Sequence, residues 1–237
     1  MSRHLRLAVL ATALLTGCTS APKAEPPAGP TVAPAPTEAS PTEVVQAALQ
    51  RLTTTPYSFA ISGEGQGLKY VASGAHDPKA RKHRWKFTVS RKQRSTSHQV
   101  IVIGGIGYLN RGGSGRWART DLTRLEPTSL SRYADPADPS GLIRFARAVQ
   151  SVRRLGPATY EGDARLEAAP EVISYVPPGA PLVRFPQGAP WVAFTLTTDA
   201  KGNPATLKTV FEFGASEVVT NRTTFRELGR PVRISKP

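Results

Sequence analysis

The hydrophobic period of this chain changes at Pro56, and that change limits the folds open to it. Before the proline, Val45, Ala48, Leu49 and Leu52 fall at i, i+3, i+4 and i+7, the single apolar stripe of an amphipathic helix. After it, Tyr57, Phe59 and Ile61 alternate with Ser58, Ala60 and Ser62, the period of a strand with one buried face. The helix has a written start. Ser40 can cap it, Pro41 suits its first position, and Glu43 can reach back to the cap as a capping box.

Most of the remaining chain keeps the period of two. A strand is predicted around Leu68 to Ser73, and Trp85, Phe87 and Val89 alternate with Arg84, Lys86 and Thr88. Val100 to Ile103 is apolar at every position, which predicts a strand covered on both faces, and Gly104-Gly105 supplies the turn into Tyr108-Leu109. These elements read as an antiparallel meander. Later, Val192, Phe194 and Leu196 alternate, Lys201-Gly202-Asn203-Pro204 makes a turn, and Leu207, Phe211 and Phe213 share the next inward face, with a last long strand over Val219 to Phe225.

One helix interrupts the strands. Asp138-Pro139 repeats the cap-then-proline signal, and Leu142, Phe145, Ala146 and Val149 form its stripe while Arg144, Arg147 and Ser151 face away. The segment from Glu161 to Gln187, broken by Pro170, Pro177-Pro178, Pro181 and Pro186, predicts a loop with one short strand near Val172 to Val176. The plan is α+β, a curved antiparallel β-sheet with helices packed on one face, in a single domain over residues 40–237.

Two segments precede that domain. Arg3 and Arg6, an apolar run from Leu7 through Leu15, and then Thr16-Gly17-Cys18 have the order of a secretory signal, over residues 1–17. The run falls short of the roughly 20 apolar residues of a membrane span. Leu15-Thr16-Gly17-Cys18 resembles the lipobox of bacterial lipoproteins, in which the thiol receives a diacylglyceryl group and becomes the new N-terminus. An ordinary secretory signal with an incidental cysteine is the alternative. Cys18 is the one cysteine in the chain, so no internal disulfide exists, and acylation accounts for a lone exported thiol. Residues 18–39 hold prolines at 22, 26, 27, 30, 34 and 36 among Ala, Thr and Glu, a composition that reads as a tether with too little apolar surface to fold.

Charge narrows the partners. The formal net charge is +14, and loss of Arg3 and Arg6 with the signal removes two positive charges and no acid, leaving +12. A field of that sign favours polyanions. At the extracytoplasmic face of the cell membrane these are anionic lipid head groups or anionic cell-wall polymer, so a nucleic acid is not an expected partner.

The lipobox, the Pro/Ala/Thr tether, the capped helix running into Pro56-Tyr57-Ser58-Phe59, His76-Asp77-Pro78, Ser151-Val152-Arg153-Arg154-Leu155-Gly156 after the Asp138-Pro139 helix, and Asp199-Ala200-Lys201-Gly202 together resemble the actinobacterial LppX/LprG lipoproteins and, more distantly, LolA. The similarity is one of layout over nearly the whole domain. It implies a half-barrel with helices on its concave face and, between them, a hydrophobic cavity that binds or carries an acylated lipid. The Pro-rich stretch from Glu161 to Gln187 departs from that pattern and bears on the cavity mouth.

Candidate cavity residues are Tyr57, Phe59, Ile61, Trp85, Phe87, Phe194, Leu196, Phe211 and Phe213, with Leu142 and Phe145 from the second helix. A filled core accounts for the same pattern. Arg81, Lys82, Arg84, Lys86, Arg91, Lys92 and Arg94 gather on one hairpin, either as a solvated outer face or as a contact for anionic lipid head groups.

Catalysis is not expected. His76, His83 and His98 have no ligand-like spacing with an acidic cluster, which argues against a metal site, and no cofactor motif is present. No Gly-x-Ser-x-Gly elbow or Ser-x-x-Lys motif occurs, Gly112-Gly113-Ser114-Gly115 lacks the strand-to-helix setting of a phosphate loop, and Glu161 and Asp163 show no sign of convergence. The reading is a membrane-anchored, monomeric, lipid-binding envelope lipoprotein; the alternative is an envelope interaction module with a solid core.

Overall fold

Helix α1 (Pro41–Thr54) starts as its sequence dictates. The Ser40 backbone N–H donates to Glu43 Oε2 at 2.7 Å and Ser40 Oγ accepts from the Glu43 N–H at 3.3 Å, closing the capping box. Its buried residues are Val45, Ala48, Leu49 and Leu52, the stripe expected. The computed structural model describes residues 38–237 except 66, 127–128, 130–132, 166–172, 176–182, 186–190 and 214–216; for 173–175, 183–185, 213 and 217 it describes the backbone alone. Cys18, the signal and all but the last two residues of the tether lie outside the described residues.

The strands are β1 (Tyr57–Gly65), β2 (Leu68–Asp77), β3 (Lys82–Arg91), β4 (Arg94–Ile103), β5 (Ile106–Arg111), β6 (Ala118–Asp121), β7 (Val149–Gly156), β8 (Thr159–Arg165), β9 (Ile173–Tyr175), β10 (Val183–Phe185), β11 (Trp191–Thr198), β12 (Pro204–Phe213) and β13 (Glu217–Arg226). All but β9 and β10 form one curved antiparallel sheet of 11 strands, ordered β6-β5-β4-β3-β2-β1-β13-β12-β11-β8-β7. The order is two meanders back to back. The chain runs outward from β1 to β6, crosses to the far edge through helix α2 (Leu142–Ala148), and returns inward from β7 until β13 pairs with β1.

The first meander turns where glycine permits. Gly104 and Gly105 have φ of +56° and +97°, the left-handed pair that a two-residue type I′ hairpin requires. Both helices pack on one face of the sheet, where α1 and α2 join β1, β3, β11, β12 and β13 in one apolar cluster. The opposite face carries a smaller cluster of Ala75, Ile101, Tyr108 and Ile234, with Val232 beside it. This second cluster explains why Val100, Ile101 and Val102 are all buried. The C-terminal segment after β13 supplies the outer cover, as the Gly229 N–H fastens to the Pro56 carbonyl at 2.8 Å.

Three rings of the inner face lie over glycines on the adjacent strand. Phe59 pairs with Gly74, Tyr70 with Gly63, and Phe194 with Gly162, and in each pair a Cβ on the glycine would strike the ring. The missing side chain lets a large ring lie down across its neighbour, so the sheet stays close to its helices.

Two expectations are corrected. The second helix is shorter than its stripe, because Val149 and Ser151 already belong to β7 and pair with Ala164 and Asp163 of β8. The helix begins after Gly141, at φ +70°, and Asp138 caps it from a distance by accepting the Arg144 N–H at 2.9 Å. The stretch from Glu161 is no loop at its start. Glu161 to Arg165 completes β8, where Glu161 meets Arg153 at 2.6 Å and Asp163 accepts from Ser151 at 3.2 Å. Within the remainder, β9 is the short strand expected, and it pairs with β10, which was not expected.

Candidate functional site

The inner face gathers the predicted lining residues. Tyr57, Phe59 and Ile61 of β1, Trp85 of β3, Phe194 and Leu196 of β11, Phe211 of β12, and Leu142 and Phe145 of α2 are all buried in the cluster that α1 covers. Phe87 is only half-buried and stacks on His98, ring centres 4.9 Å apart. The Phe213 side chain lies outside the described residues. The rings interlock: Phe145 stands edge-on to Phe194 at 5.4 Å, and Tyr57 edge-on to Phe225 at 5.6 Å.

Polar side chains interrupt this apolar surface at the centre of the sheet. Thr209 of β12 stands opposite Asn221 of β13, and Thr223 stands between Leu207 of β12 and Ile61 of β1. Each is 1% exposed, and Thr209 Oγ1, Asn221 Oδ1 and Thr223 Oγ1 have no hydrogen-bond partner among the described residues. A buried polar group left unmet costs about 1–3 kcal/mol. Sequence reading missed this row, whose signal was polar residues at inward positions of otherwise alternating strands.

A second polar group was also missed. His76 and His83, register partners on β2 and β3, face each other Nδ1 to Nδ1 at 3.1 Å, packed among Tyr57, Phe59 and Trp85. Burial pulls the His76 pKa down to about 4, against smaller upward effects of the Lys82 backbone and the Asp77 charge. His83 falls well below the ordinary histidine range, first through burial and then through its neighbour's charge. Nearby, burial raises the Tyr57 hydroxyl pKa; Ser140 is close enough to lower it slightly, although no hydrogen bond closes on that oxygen. Burial also raises Asp138, opposed by the backbone N–H groups of Arg144 and Ile143. Among the described residues no three His, Cys, Asp or Glu side chains come together as metal ligands, and no helix is long and apolar enough to cross a membrane.

The basic residues are strung out rather than gathered. Lys82 pairs with Ile103 at one end of β3, and Arg91 pairs with Arg94 at the other, roughly 30 Å away for a ten-residue strand. Arg81 belongs to the β2–β3 turn, Lys92 to the β3–β4 turn, and Arg84 and Lys86 stand on the outer face opposite Trp85. None of the seven is in an ion pair among the described residues.

Two open clefts border the described fold. One of about 640 Å³ runs between α1 and α2, bordered by Gln46, Gln50, Thr53, Ile143 and Arg147. The other, about 790 Å³, opens beside the β5–β6 hairpin at Arg111, Arg116, Trp117 and Tyr133.

This arrangement, an open antiparallel half-barrel with helices on its inner face, is the fold that the LppX/LprG and LolA resemblance implied. Among solved structures, the chain is similar to the lipoprotein LppX of Mycobacterium tuberculosis, at 12% identity and a TM-score of 0.45 over 82% of this chain and 97% of that one. An uncharacterized conserved protein from Thermus thermophilus matches at 11% identity and a TM-score of 0.43, over 78% of this chain and 85% of that one. A LolA superfamily protein of Nitrosomonas europaea matches at 9% identity and a TM-score of 0.26, over 79% and 94%. No protein-family model and no curated protein matches the sequence.

Proposed function

We propose that this chain is an envelope lipoprotein, attached through Cys18 to the outer face of the cell membrane, that binds or carries an acylated lipid without reacting with it. The observation that carries this reading is the make-up of the inner face. It is apolar over Tyr57, Phe59, Ile61, Trp85, Phe194, Leu196 and Phe211, yet the side-chain oxygens of Thr209, Asn221 and Thr223 sit within it with no partner among the described residues. Apolar side chains accept acyl chains without leaving polar groups unpaired, and the hydroxyls and amide answer an ester carbonyl or a hydroxyl on the same ligand. The basic residues on the outer face and hairpin tips of β3, in no ion pair among the described residues, favour an anionic membrane surface.

The test is mass spectrometry of lipid extracted from the purified, unacylated protein. Lipid recovered in constant proportion to protein is the expected result, and Thr223→Val with Asn221→Leu should change which lipids are retained. Protein that is lipid-free from several hosts would overturn the reading.

A second reading is favoured by the interlocked rings. With Phe145 against Phe194 and Tyr57 against Phe225, the face also serves as the solid core of an interaction module that docks on a membrane protein or an anionic cell-wall polymer. Lipid-free protein that pulls down wall polymer is the outcome that selects it.

A further inference from the structure

We propose that the cleft beside the β5–β6 hairpin is a binding site for a phosphorylated sugar or polyol. The site stands on its own and does not depend on a lipid occupying the inner face. Arg111 ends β5 and Arg116 leads into β6, both exposed, and neither has an acidic partner among the described residues. Among the described residues no carboxylate lines the cleft. The two guanidinium groups therefore present unmatched donors suited to a phosphate ester, which they can hold through paired, charge-assisted hydrogen bonds.

The rest of the lining asks for more than phosphate. Trp117 and Tyr133 contribute aromatic surface, Leu109 adds an aliphatic patch, and the Thr120 hydroxyl is at hand. Trp117 is held by packing against the outer cluster of Ala75, Ile101, Tyr108 and Ile234. Tyr133 is seated because Gly107 has no side chain: a Cβ there would strike its hydroxyl. That hydroxyl is buried and makes no hydrogen bond, although Thr120 is near enough to lower its pKa, which burial raises to about 12. Aromatic faces stack on the C–H faces of a sugar ring, and the Thr120 hydroxyl, unlike the buried one of Tyr133, can exchange hydrogen bonds with the sugar's hydroxyls. A bare anion would leave the rings unused, and a purely apolar ligand would leave the guanidinium groups without partners. At about 790 Å³ the cleft has room for a ring as well as its phosphate.

The same chemistry is offered by a lipid head group and by a phosphorylated wall polymer, and the test separates them. The full chain is titrated calorimetrically with glucose 6-phosphate, glucose and inorganic phosphate, and its sedimentation with phosphatidylcholine vesicles is measured with and without phosphatidylglycerol. Glucose 6-phosphate is expected to bind about tenfold or more tightly than glucose or inorganic phosphate, and Arg111→Gln with Arg116→Gln to weaken it by a similar factor. Lys208→Gln with Arg222→Gln removes the same charge from an exposed pair on β12 and β13 and should leave binding unchanged. If the double variant at the cleft also loses the phosphatidylglycerol-dependent sedimentation, the source is a lipid head group. If it loses only the sugar phosphate, the source is a polymer. Equal binding of inorganic phosphate, equal loss in the Lys208/Arg222 control, or no binding of glucose 6-phosphate overturns the proposal, whatever lipid is recovered from the inner face.

Discussion

His83 Nδ1 lies 3.1 Å from His76 Nδ1 across the β2–β3 pair, with His83 fully buried and His76 4% exposed. One ring must donate and the other accept, so the two Nδ1 atoms hold one proton between them, and burial disfavours a further proton on either ring. The Lys82 backbone favours a proton on His76. With that proton on Nε2, His83 Nδ1–H donates to His76, and His83 Nε2 is left as a buried acceptor without a donor. Histidine titrates near 6.5 when unfolded, and His76 at about 4 in the fold. The unfolded chain therefore binds more protons between those values. Stability is complete above about pH 6.5 and falls as the pH drops toward 4, by up to about 1.4 kcal/mol per pH unit for each histidine. Asp138, whose pKa is raised by burial, acts in the opposite sense, so the histidine part is isolated by comparison with His83→Phe. Thermal melts from pH 7 to pH 4 should show a shallower decline in that variant. Parallel declines would mean that the pair does not set the acid limit.

Gly74 and Gly162 are held small by the rings above them. A Cβ on Gly74 would strike the Arg84 carbonyl and come within 2.6 Å of Phe59 Cζ; on Gly162 it would strike the Ser151 carbonyl and come within 2.8 Å of Phe194 Cζ. Backbone cannot swing aside as a side-chain tip can. Gly74→Ala and Gly162→Ala should each lower stability to unfolding by about 1–3 kcal/mol. Gly156→Ala, with nothing within 4 Å of the added carbon, should stay within about 0.5 kcal/mol of the parent. Urea titration measures all three, and equal costs would show that strand propensity rather than the rings is at work.

The C-terminal segment makes a similar claim on the outer face. Ile234 is 5% exposed against Ala75, Ile101 and Tyr108. Ile234→Ala should cost about 2 kcal/mol or more, while Lys236→Ala at an exposed position should cost almost nothing. A negligible effect of Ile234→Ala would show that the outer cluster holds without its cover.

The range of each interaction decides whether the sequence displayed it or hid it. The Ser40–Glu43 box and the Val45–Leu52 stripe are local, so they were legible, as was the alternation on β1 and β11. Strand β8 was hidden because its inward residues, Tyr160, Gly162 and Ala164, include a glycine kept small by Phe194, a ring about thirty residues downstream in the sequence. Val100 to Val102 announced a cover on both faces, but Val232 and Ile234 carry no period that marks them as the cover. The His76–His83 contact depends on the register across the Asp77-Pro78 turn, which composition does not fix. The basic residues of β3 are close in sequence, yet an extended strand carries its ends far apart. The row of Thr209, Asn221 and Thr223 became visible only once β12 and β13 were aligned with β1.

The proposed anchor at Cys18 can be tested apart from any ligand. A diacylglyceryl group on Cys18 brings two acyl chains, and two chains hold a protein on a bilayer where one gives marginal binding. The basic outer residues contribute only about 1 kcal/mol each, an attraction that salt screens. In its own host the protein should sediment with membranes through a high-salt wash and be released by detergent, and its N-terminal peptide should carry the mass of the lipid. With Cys18→Ser and the leader exchanged for an ordinary secretory signal, any residual sedimentation should vanish in salt. If that protein instead resists the salt wash, acylation is not what holds the chain to the membrane, and attachment must come from the folded domain.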